Sequence, residues 1–519
     1  MKGLTRREVM RAGAAGALGL WLPLELIDQA AAARTRIDPR SLADLRRRLR
    51  GTLLLPTDRG YTAASQPANT RFEHTRPIAV AECADEHDVI ACVRWSRENG
   101  VQPVARGGGH SYAGYSTTTG LLIDLGRLNS VTVDRRSGIA RIGGGALNQN
   151  LFDATVNTGF ILPGGTCLGV GVGGLVLGGG VGYNTHWAGL TSDHLRASRI
   201  VTATGDVLRV DPSHHQDLYW ACRGGAGGSF GINTSFAFEL VAVPRPDVAF
   251  YRFDYRGADA SAAVLSAFDK MLQTAPPALN AVAMSQATPV GAGGPREAID
   301  TFSRGQYIGP LDELRELVSP LLAAAKPVRM TLETLPFWTM QRMFASVEAE
   351  HHSFGDVSRY SRAPLPDSVV AKVVDLLAAC PARDAGNNGS MWSLGWIGGA
   401  VVNSIGRRDT AYVHRGMLTM LRATPVWDTN APASVRNGLI AWTDEVIRTI
   451  APHTANESYQ NFPNRGIVDW PAEYYAENFP RLVEVKTKYD PHDVFRNQQS
   501  IPPRGRRAPR PPPQPAVAG

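Results

Sequence analysis

The chain lacks the features that mark metal-binding, membrane-spanning and repeat proteins. Its five cysteines form no CxxC pair and no Cys/His spacing typical of zinc, so we predict no metal site. Its longest apolar stretch, residues 12–24, has 13 residues, too few to span a bilayer, so we expect no stable membrane anchor. No repeat with a period of about 20 to 50 residues is present, which excludes solenoids and propellers.

Positive charge is also scarce in the body of the chain, although the net charge of all 519 residues is +7. Residues 1–11 carry +3, residues 12–33 carry −2 and residues 504–519 carry +4, which leaves +2 for the body. Because the basic pI arises at the two ends, it describes no basic binding face. We therefore expect no nucleic-acid partner.

The first 33 residues have the organisation of an export signal. Arg6-Arg7 precedes the apolar stretch, and small residues follow at 30–33. This arrangement resembles the twin-arginine signal, which the twin-arginine export machinery reads on proteins that have already folded. We expect residues 1–33 to be removed and the mature protein to act outside the bacterial cytoplasm, in the periplasm, the cell envelope or the medium. Folding before export also favours a protein that takes up a cofactor in the cytosol.

Composition divides the remaining chain into segments. The 53 glycines and 35 prolines favour a turn-rich α+β fold. Residues 34–243 alternate short apolar runs with glycine-rich turns, whereas residues 244–455 contain longer helical patterns and few glycine clusters. Those patterns predict helices over 258–274, 311–325, 366–379 and 431–450. Residues 456–503 form a last ordered segment, and the Pro/Arg-rich residues 504–519 are predicted to be a disordered tail.

Three glycine-rich loops stand out: loop 1 (residues 106–111), loop 2 (residues 164–174) and loop 3 (residues 178–182). Loop 2 contains a GxGxxG match, but the glycine-rich sequence after it is a poor helix former, at about 1 kcal/mol per interior glycine relative to alanine. We therefore disfavour a nicotinamide-dinucleotide site. Backbone N–H groups of the three loops together could surround a pyrophosphate. Tight turns alone would explain one such loop but not three, two of which contain His110 and Cys167.

Five motifs occur in an order that resembles a known family. They are Arg106-Gly-Gly-Gly-His110-Ser111, the loop 2 sequence, residues 217–232, Tyr459-Gln-Asn461 and residues 495–503. Together they resemble the berberine bridge enzyme-like FAD-linked oxidases of the vanillyl-alcohol oxidase and p-cresol methylhydroxylase (PCMH) superfamily. The resemblance implies a two-subdomain PCMH-type FAD-binding domain over 34–243 and an α/β substrate domain over 244–455, with an antiparallel sheet flanked by helices. It also implies that residues 456–503 return to the FAD domain.

The same resemblance implies that FAD is bound covalently through His110 and Cys167. An imidazole and a thiolate are nucleophiles suited to attack an electron-poor flavin ring. A flavin bond to Cys167 would also account for one member of an odd set of cysteines, with the pairing of the other four left open. Val170 lies where a small side chain in this family admits oxygen, as in the oxidases. The predicted cofactor-binding residues are Arg106, Gly107, Gly108, Gly109, His110, Ser111, Gly165, Thr166, Cys167, Val170, Gly171, Gly173, Gly174, Gly178, Gly231 and Asn497.

Catalysis is assigned by resemblance to Tyr459, as the base, with Asn461 on the same strand face. A tyrosine with an ordinary pKa of about 10 is a poor base at neutral pH, so this role needs a neighbouring cation or hydrogen-bond donor. Asn388, Trp392 and Trp396 are candidates for the substrate wall, with core packing as an equal alternative.

The sequence thus predicts an exported FAD-linked oxidase that uses O2, forms H2O2 and oxidises a hydroxyl of a carbohydrate or secondary metabolite. Two enzymatic alternatives are oxidation of a C–N or C–H bond of an alkaloid-like substrate and a dehydrogenase with another electron acceptor. A non-catalytic flavin-binding module is a third alternative, which the Tyr459/Asn461 pair disfavours. The oligomeric state is left open.

Overall fold

The computed structural model describes residues 37–290, 293–345, 352–381, 391–395 and 398–509. The predicted signal (1–33), the end of the predicted tail (510–519) and the candidate residues Asn388 and Trp396 lie outside the described residues. The described residues are 33% helix and 24% strand. Among the described residues, no helix is both long enough and apolar enough to cross a membrane.

The strands follow one another as β1 (Thr52–Leu54), β2 (Ala79–Glu82), β3 (Pro103–Arg106), β4 (Leu121–Asp124), β5 (Val131–Asp134), β6 (Ile139–Gly143), β7 (Phe160–Ile161), β8 (Leu195–Val201), β9 (Val207–Val210), β10 (Ile232–Glu239), β11 (Val241–Ala242), β12 (Asp247–Arg256), β13 (Leu279–Ala287), β14 (Ile299–Tyr307), β15 (Arg329–Pro336), β16 (Ser353–Phe354), β17 (Val357–Ser361), β18 (Met391–Gly395), β19 (Thr419–Thr424) and β20 (Val426–Trp427).

The α-helices are α1 (Pro39–Arg48), α2 (Tyr61–Ser65), α3 (Glu86–Glu98), α4 (Asn148–Thr155), α5 (Val172–Leu177), α6 (Thr185–Ala188), α7 (Gln216–Ala221), α8 (Ala258–Met271), α9 (Leu311–Leu317), α10 (Ser319–Ala324), α11 (Phe337–Phe344), α12 (Asp367–Ala378), α13 (Ala400–Asn403), α14 (Ala433–Ile450), α15 (Trp470–Tyr475) and α16 (Phe479–Tyr489). Short 3-10 helices span Thr70–Phe72, Thr191–His194, Ala451–His453 and Ala476–Asn478.

Two sheets form the glycine-rich half of the chain. The first has the order β1-β2-β4-β3, with β2, β4 and β3 parallel and β1 antiparallel to β2. Its strands are short apolar runs, and α3 follows β2 with Asp85 as its cap, because the Asp88 N–H donates to Asp85 Oδ1 at 3.3 Å. The second is an antiparallel sheet with the order β5-β6-β10-β8-β9. The chain leaves these sheets repeatedly at the three loops.

The following region is built on a seven-stranded antiparallel sheet with the order β15-β12-β14-β13-β18-β19-β17. One face packs under α8, α12 and α14 in a large apolar core. The predicted helices end within a few residues of their expected bounds, except that 311–325 forms two helices, α9 and α10. The break precedes Pro320, whose ring would clash with the carbonyl four residues earlier in a continuous helix.

Residues after 456 pack back onto the glycine-rich half. Trp470, Tyr474 and Leu482 belong to the same buried cluster as Val172 and Phe236. The prediction of a disordered tail beginning at residue 504 is wrong for residues 504–509. Ala508 packs against this cluster, and Trp470 Nε1–H donates to the carbonyl of residue 509 at 3.0 Å, so an apolar contact and a hydrogen bond fix its path.

Candidate active site

The three glycine-rich loops interlock through their backbones. A Cβ on Gly108 in loop 1 would lie 2.4 Å from both the Gly169 carbonyl oxygen and the Gly171 nitrogen in loop 2. A Cβ on Gly182 in loop 3 would lie 1.7 Å from the Gly164 carbonyl oxygen in loop 2. Only glycine permits such approaches, so these residues bring the loops into one continuous surface. The loops therefore form one cradle instead of three separate turns.

Loop 1 is anchored at its start and turned at its middle. The Arg106 guanidinium pairs with Asp124, with Nη2 and Oδ2 2.7 Å apart, and donates from Nη1 to the Gln66 carbonyl at 3.1 Å. The predicted Arg106 side chain therefore holds the base of the loop. Gly109 has a φ of 76°, in the left-handed region that favours glycine, and this turn presents His110.

Loop 2 is held from below by Asn148 at the start of α4. The Asn148 side-chain amide donates to the Cys167 carbonyl at 2.8 Å, and its backbone N–H donates to the Val170 carbonyl at 2.9 Å. The Thr166 hydroxyl lies 3.6 Å from the Cys167 sulfur. Every residue from Gly164 to Val170 is partly exposed, so the backbone is fixed while the side chains of Cys167 and Val170 remain accessible.

Loop 2 continues into a helix that the sequence did not predict. α5 spans Val172–Leu177 and ends at Gly178, so the glycine-rich sequence supports less than two turns. Gly173 faces the Gly144 carbonyl, where a Cβ would lie 2.8 Å away, whereas Gly174 is exposed with nothing within 4 Å of its Cβ position. A helix this short differs from the long helix of a nicotinamide-dinucleotide fold.

Tyr459 and Asn461 lie directly against loop 3. The Gly180 N–H donates to the Tyr459 hydroxyl at 3.0 Å, and Asn461 Nδ2 donates to the same hydroxyl at 3.1 Å and to the Leu175 carbonyl at 2.9 Å. A Cβ on Gly178 would lie 2.0 Å from Asn461 Oδ1. The Tyr-x-Asn motif is thus brought to the cradle, where it fixes the path of loop 3.

The environment of Tyr459 does not make it a ready base. Its side chain is 1% exposed and packs with Tyr360, Tyr412 and Met420. Burial raises the pKa of Tyr459 to about 12, although the hydrogen bonds from Gly180 and Asn461 act in the opposite direction. The donors required for the predicted role are present, but desolvation outweighs them.

Two predicted cofactor residues have local structural roles. A Cβ on Gly231 would lie 2.6 Å from the Val201 carbonyl oxygen, so this glycine allows β10 to approach β8 closely. The Asn497 side chain closes a turn, since its Oδ1 accepts from the Gln499 N–H at 2.8 Å.

The Trp392 prediction is wrong. Trp392 is 1% exposed and belongs to the core under the helices, because alternate residues of β18 face opposite sides of the sheet. Met391 and Ser393 occupy the other face; Ser393 is the register partner of Met284.

Sequence analysis missed two tyrosines that approach Cys167. Burial raises the pKa values of Tyr112 and Tyr183, and the Cys167 thiol adds to both shifts. Arg422 Nη2 lies 3.5 Å from the Tyr112 hydroxyl, and the Arg304 guanidinium donates to the Tyr183 hydroxyl. Tyr112 follows the His110-Ser111 motif immediately, a signal that was available. The arginines are single residues on separate strands and have no such signal.

The cradle fits a large flat cofactor bound by backbone groups. Its glycines leave no side chains between the loops, and its partly exposed side chains include an imidazole, a thiol and the phenol of Tyr112. Asn148 Oδ1 is buried beside Gly164 with no hydrogen-bond partner among the described residues, which leaves an acceptor for a bound polar group. Backbone donors and these nucleophiles are a suitable set for an FAD molecule.

Comparison with known proteins agrees with this geometry. The sequence profile described as "FAD binding domain" matches residues 77–211, and the profile described as "Berberine and berberine like" matches residues 458–502. The first match includes all three loops, and the second includes Tyr459 and Asn461.

Relatives cover nearly the whole chain. The uncharacterized FAD-linked oxidoreductase YgaK of Bacillus subtilis is 31% identical over 466 residues, which are 88% of this chain and 98% of that protein. (R)-6-hydroxynicotine oxidase of Paenarthrobacter nicotinovorans is 28% identical over 468 residues, again 88% and 98%. The solved structure of a chitooligosaccharide oxidase is 25% identical, with a TM-score of 0.77, and covers 89% of this chain and 99% of its own.

The fold, the cradle and these relatives define the protein as an FAD-linked oxidoreductase with a PCMH-type FAD-binding fold. More narrowly, the chain belongs to the berberine bridge enzyme-like family.

Proposed function

We propose that the protein is an exported oxidase that carries FAD on both His110 and Cys167, oxidises a hydroxyl of a carbohydrate or secondary metabolite, and passes the electrons to O2 to form H2O2. The observation that carries this proposal is the backbone contact between loops 1 and 2, which places the two nucleophiles on one cradle. A chitooligosaccharide oxidase among the solved relatives supports a hydroxyl as the oxidised group.

When bound, FAD supplies the hydride acceptor for this chemistry. The chain supplies the attachment points at His110 and Cys167, and Asn148 fixes the backbone at Cys167 and Val170. Tyr459 and Asn461 hold loop 3 in place. Tyr112 and Tyr183 lie near Cys167, each beside an arginine that opposes the rise of its pKa caused by burial.

The attachment is tested by acid denaturation of wild type, His110→Ala, Cys167→Ala and the double variant, followed by intact mass and absorbance. Flavin that remains on the denatured chain in wild type and both single variants, but not in the double variant, supports two bonds. Cys380→Ala is the matched control, because Cys380 lies in the core under the seven-stranded sheet. Release of flavin from denatured wild type would contradict the attachment.

The reaction is tested by flavin bleaching and H2O2 release with a panel of oligosaccharides, aromatic alcohols and cyclic amines. H2O2 formed only from alcohols supports the proposal. Bleaching by amines alone would favour C–N oxidation, the alternative suggested by the name of the hydroxynicotine oxidase relative. Bleaching under nitrogen with slow reoxidation in air and fast reoxidation by a dye would identify a dehydrogenase instead. Absence of a mature N-terminus near residue 34 after expression in a host with twin-arginine export would contradict the export step.

A further inference from the structure

One arginine on the inner face of the seven-stranded sheet has no acidic partner. By strand alternation, five arginines lie on the face opposite the helices: Arg252, Arg256, Arg304, Arg329 and Arg422. Arg256 Nε lies 3.9 Å from Asp300 Oδ1, and Arg329 Nε lies 3.8 Å from Asp254 Oδ2. Arg252 pairs with Asp254, with Nη2 and Oδ1 2.8 Å apart, and Arg422 pairs with the buried Asp356. Within the described part of the chain, no carboxylate forms an ion pair with Arg304.

The position of Arg304 makes this absence unusual. Arg304 lies directly opposite Arg252 across β12 and β14, so it has a like charge as its nearest cross-strand neighbour. Its Nε is buried and has no hydrogen-bond partner among the described residues. A partly buried guanidinium normally has an anion or several acceptors. The hydroxyl of Tyr183 is a single neutral acceptor.

The Arg304 guanidinium is held by two aromatic rings that themselves line a cleft. Its central carbon lies 5.2 Å from the ring centres of both Tyr183 and Phe344, which stack on each other at 4.4 Å. Gln306, two residues along the same face, fixes the partner segment by donating to the Tyr183 carbonyl at 2.8 Å and to Asn184 Oδ1 at 2.7 Å. The guanidinium is therefore positioned before any ligand arrives.

The cleft leads to loop 2. Tyr183 and Phe344 line it together with Gly165, Thr166 and Leu168, next to Cys167. Among its described lining residues there is no aspartate or glutamate.

We propose that Arg304 recognises a carboxylate on the substrate, so that the enzyme prefers hydroxy acids, such as sugar acids or aromatic hydroxy acids, over their neutral analogues. This inference rests on the proposed function, because it assumes that the cleft beside Cys167 receives the molecule that is oxidised. The carboxylate would complete an ion pair that Arg304 lacks among the described residues. The planar fork of arginine suits two parallel hydrogen bonds to such a group.

The test compares matched acid and amide probes on the flavin-loaded enzyme at constant ionic strength. The pairs are 4-(hydroxymethyl)benzoate with 4-(hydroxymethyl)benzamide, and glucuronate with glucuronamide. Binding is measured by flavin difference spectra and by thermal shift, and turnover by H2O2 release. The variants are Arg304→Gln, Arg304→Lys and the control Arg252→Gln, which removes the neighbouring charge that already has its own acid.

In wild type we expect at least one acid to bind more tightly than its amide. Arg304→Gln should weaken binding of that acid about 10- to 100-fold and leave amide binding unchanged, as for loss of a hydrogen bond to a charged group. Arg304→Lys should restore part of the loss, and Arg252→Gln should bind the acid as wild type does.

Equal binding of acid and amide by wild type in both pairs would overturn the inference. So would a loss in Arg304→Gln that is the same for acid and amide and shifts the pH profile, since Arg304 would then act through the Tyr183 phenol. Oxidation of neutral alcohols without any preference for acids would leave the proposed function standing while this inference fails. Conversely, Arg304-dependent acid binding without any flavin bleaching would contradict the proposed oxidation and keep the carboxylate site.

Discussion

Adding one methyl group at Gly108, between loops 1 and 2, tests whether the close contact of these loops is needed for flavin binding and for stability. In Gly108→Ala the new Cβ would lie 2.4 Å from the Gly169 carbonyl oxygen and the Gly171 nitrogen, whereas ordinary contacts begin at 3.4 Å. The loops would have to move apart by about 1 Å, because both contacted atoms are backbone and cannot rotate away. Overpacking by one methyl in a well-packed interior costs about 1–3 kcal/mol, and a clash with two backbone atoms lies at the upper end.

Gly174→Ala is the matched control, since it adds the same methyl three residues after Gly171, the loop 2 residue that Gly108 contacts. Its Cβ position has nothing within 4 Å, and the residue lies in α5, where alanine is favoured over glycine by about 0.5–1 kcal/mol. Urea unfolding midpoints and the flavin-to-protein absorbance ratio measure the two effects. We expect Gly108→Ala to lose flavin and stability, and Gly174→Ala to keep its stability. Gly108→Ala with wild-type flavin content and midpoint would refute the interlocked cradle.

Three further substitutions test the site and its support. Tyr459→Phe should lower the free energy of unfolding by about 1–3 kcal/mol, because the N–H groups that donate to its hydroxyl lose their acceptor. The pH profile of kcat should be unchanged. A loss of 100-fold or more in kcat with a changed profile would instead support Tyr459 as the base. Burial raises the pKa of Asp269 from 3.8 to about 6, so the native state binds this proton more tightly than the unfolded chain does. The free energy of unfolding therefore falls as the pH rises from about 4 to about 6. Asp269→Asn should remove that pH dependence and stabilise the protein at neutral pH by up to about 3 kcal/mol. If the urea midpoint changes by the same amount between pH 4.5 and pH 7.5 in wild type and in the variant, this prediction is wrong. Lys486→Met leaves the buried Asp490 carboxylate without its cation 2.6 Å away, which should cost about 3–5 kcal/mol in urea unfolding and be partly reversed by adding Asp490→Asn. Unchanged stability of the single variant would contradict this.

The cofactor side of the site could be predicted because it is made of backbone. A glycine that permits close approach is visible in the sequence, and three clusters with His110 and Cys167 between them indicate a cradle without any knowledge of strand register. The pattern could not distinguish a glycine that borders the cradle from a glycine that allows two strands to approach each other. Gly108 and Gly231 belong to similar glycine clusters, yet the first meets loop 2 and the second meets β8.

The substrate side could not be predicted because it depends on which face of a strand a residue occupies. In β18 the alternation gives Trp392 to the helical core and Ser393 to the inner face, and a shift of one residue would exchange them. The aromatic content of the segment suggested a substrate wall, but the wide core under the helices required the same large side chains. Sequence alone offers no means to choose between these two demands on a tryptophan.

Charge gives a criterion that aromatic content does not. A tryptophan is equally stable in a core and in a binding cleft, so its presence identifies neither. An arginine in a partly buried site is stable only with an anion or with several acceptors. Arg252 and Arg422 on this sheet each have an aspartate of the protein as that anion. The exception at Arg304 therefore carries more information about the substrate than any of the aromatic residues around it. Asp356 would have to be known in three dimensions before that exception could be seen, because it lies outside the strands, immediately before β17, and its pairing with Arg422 depends on the fold.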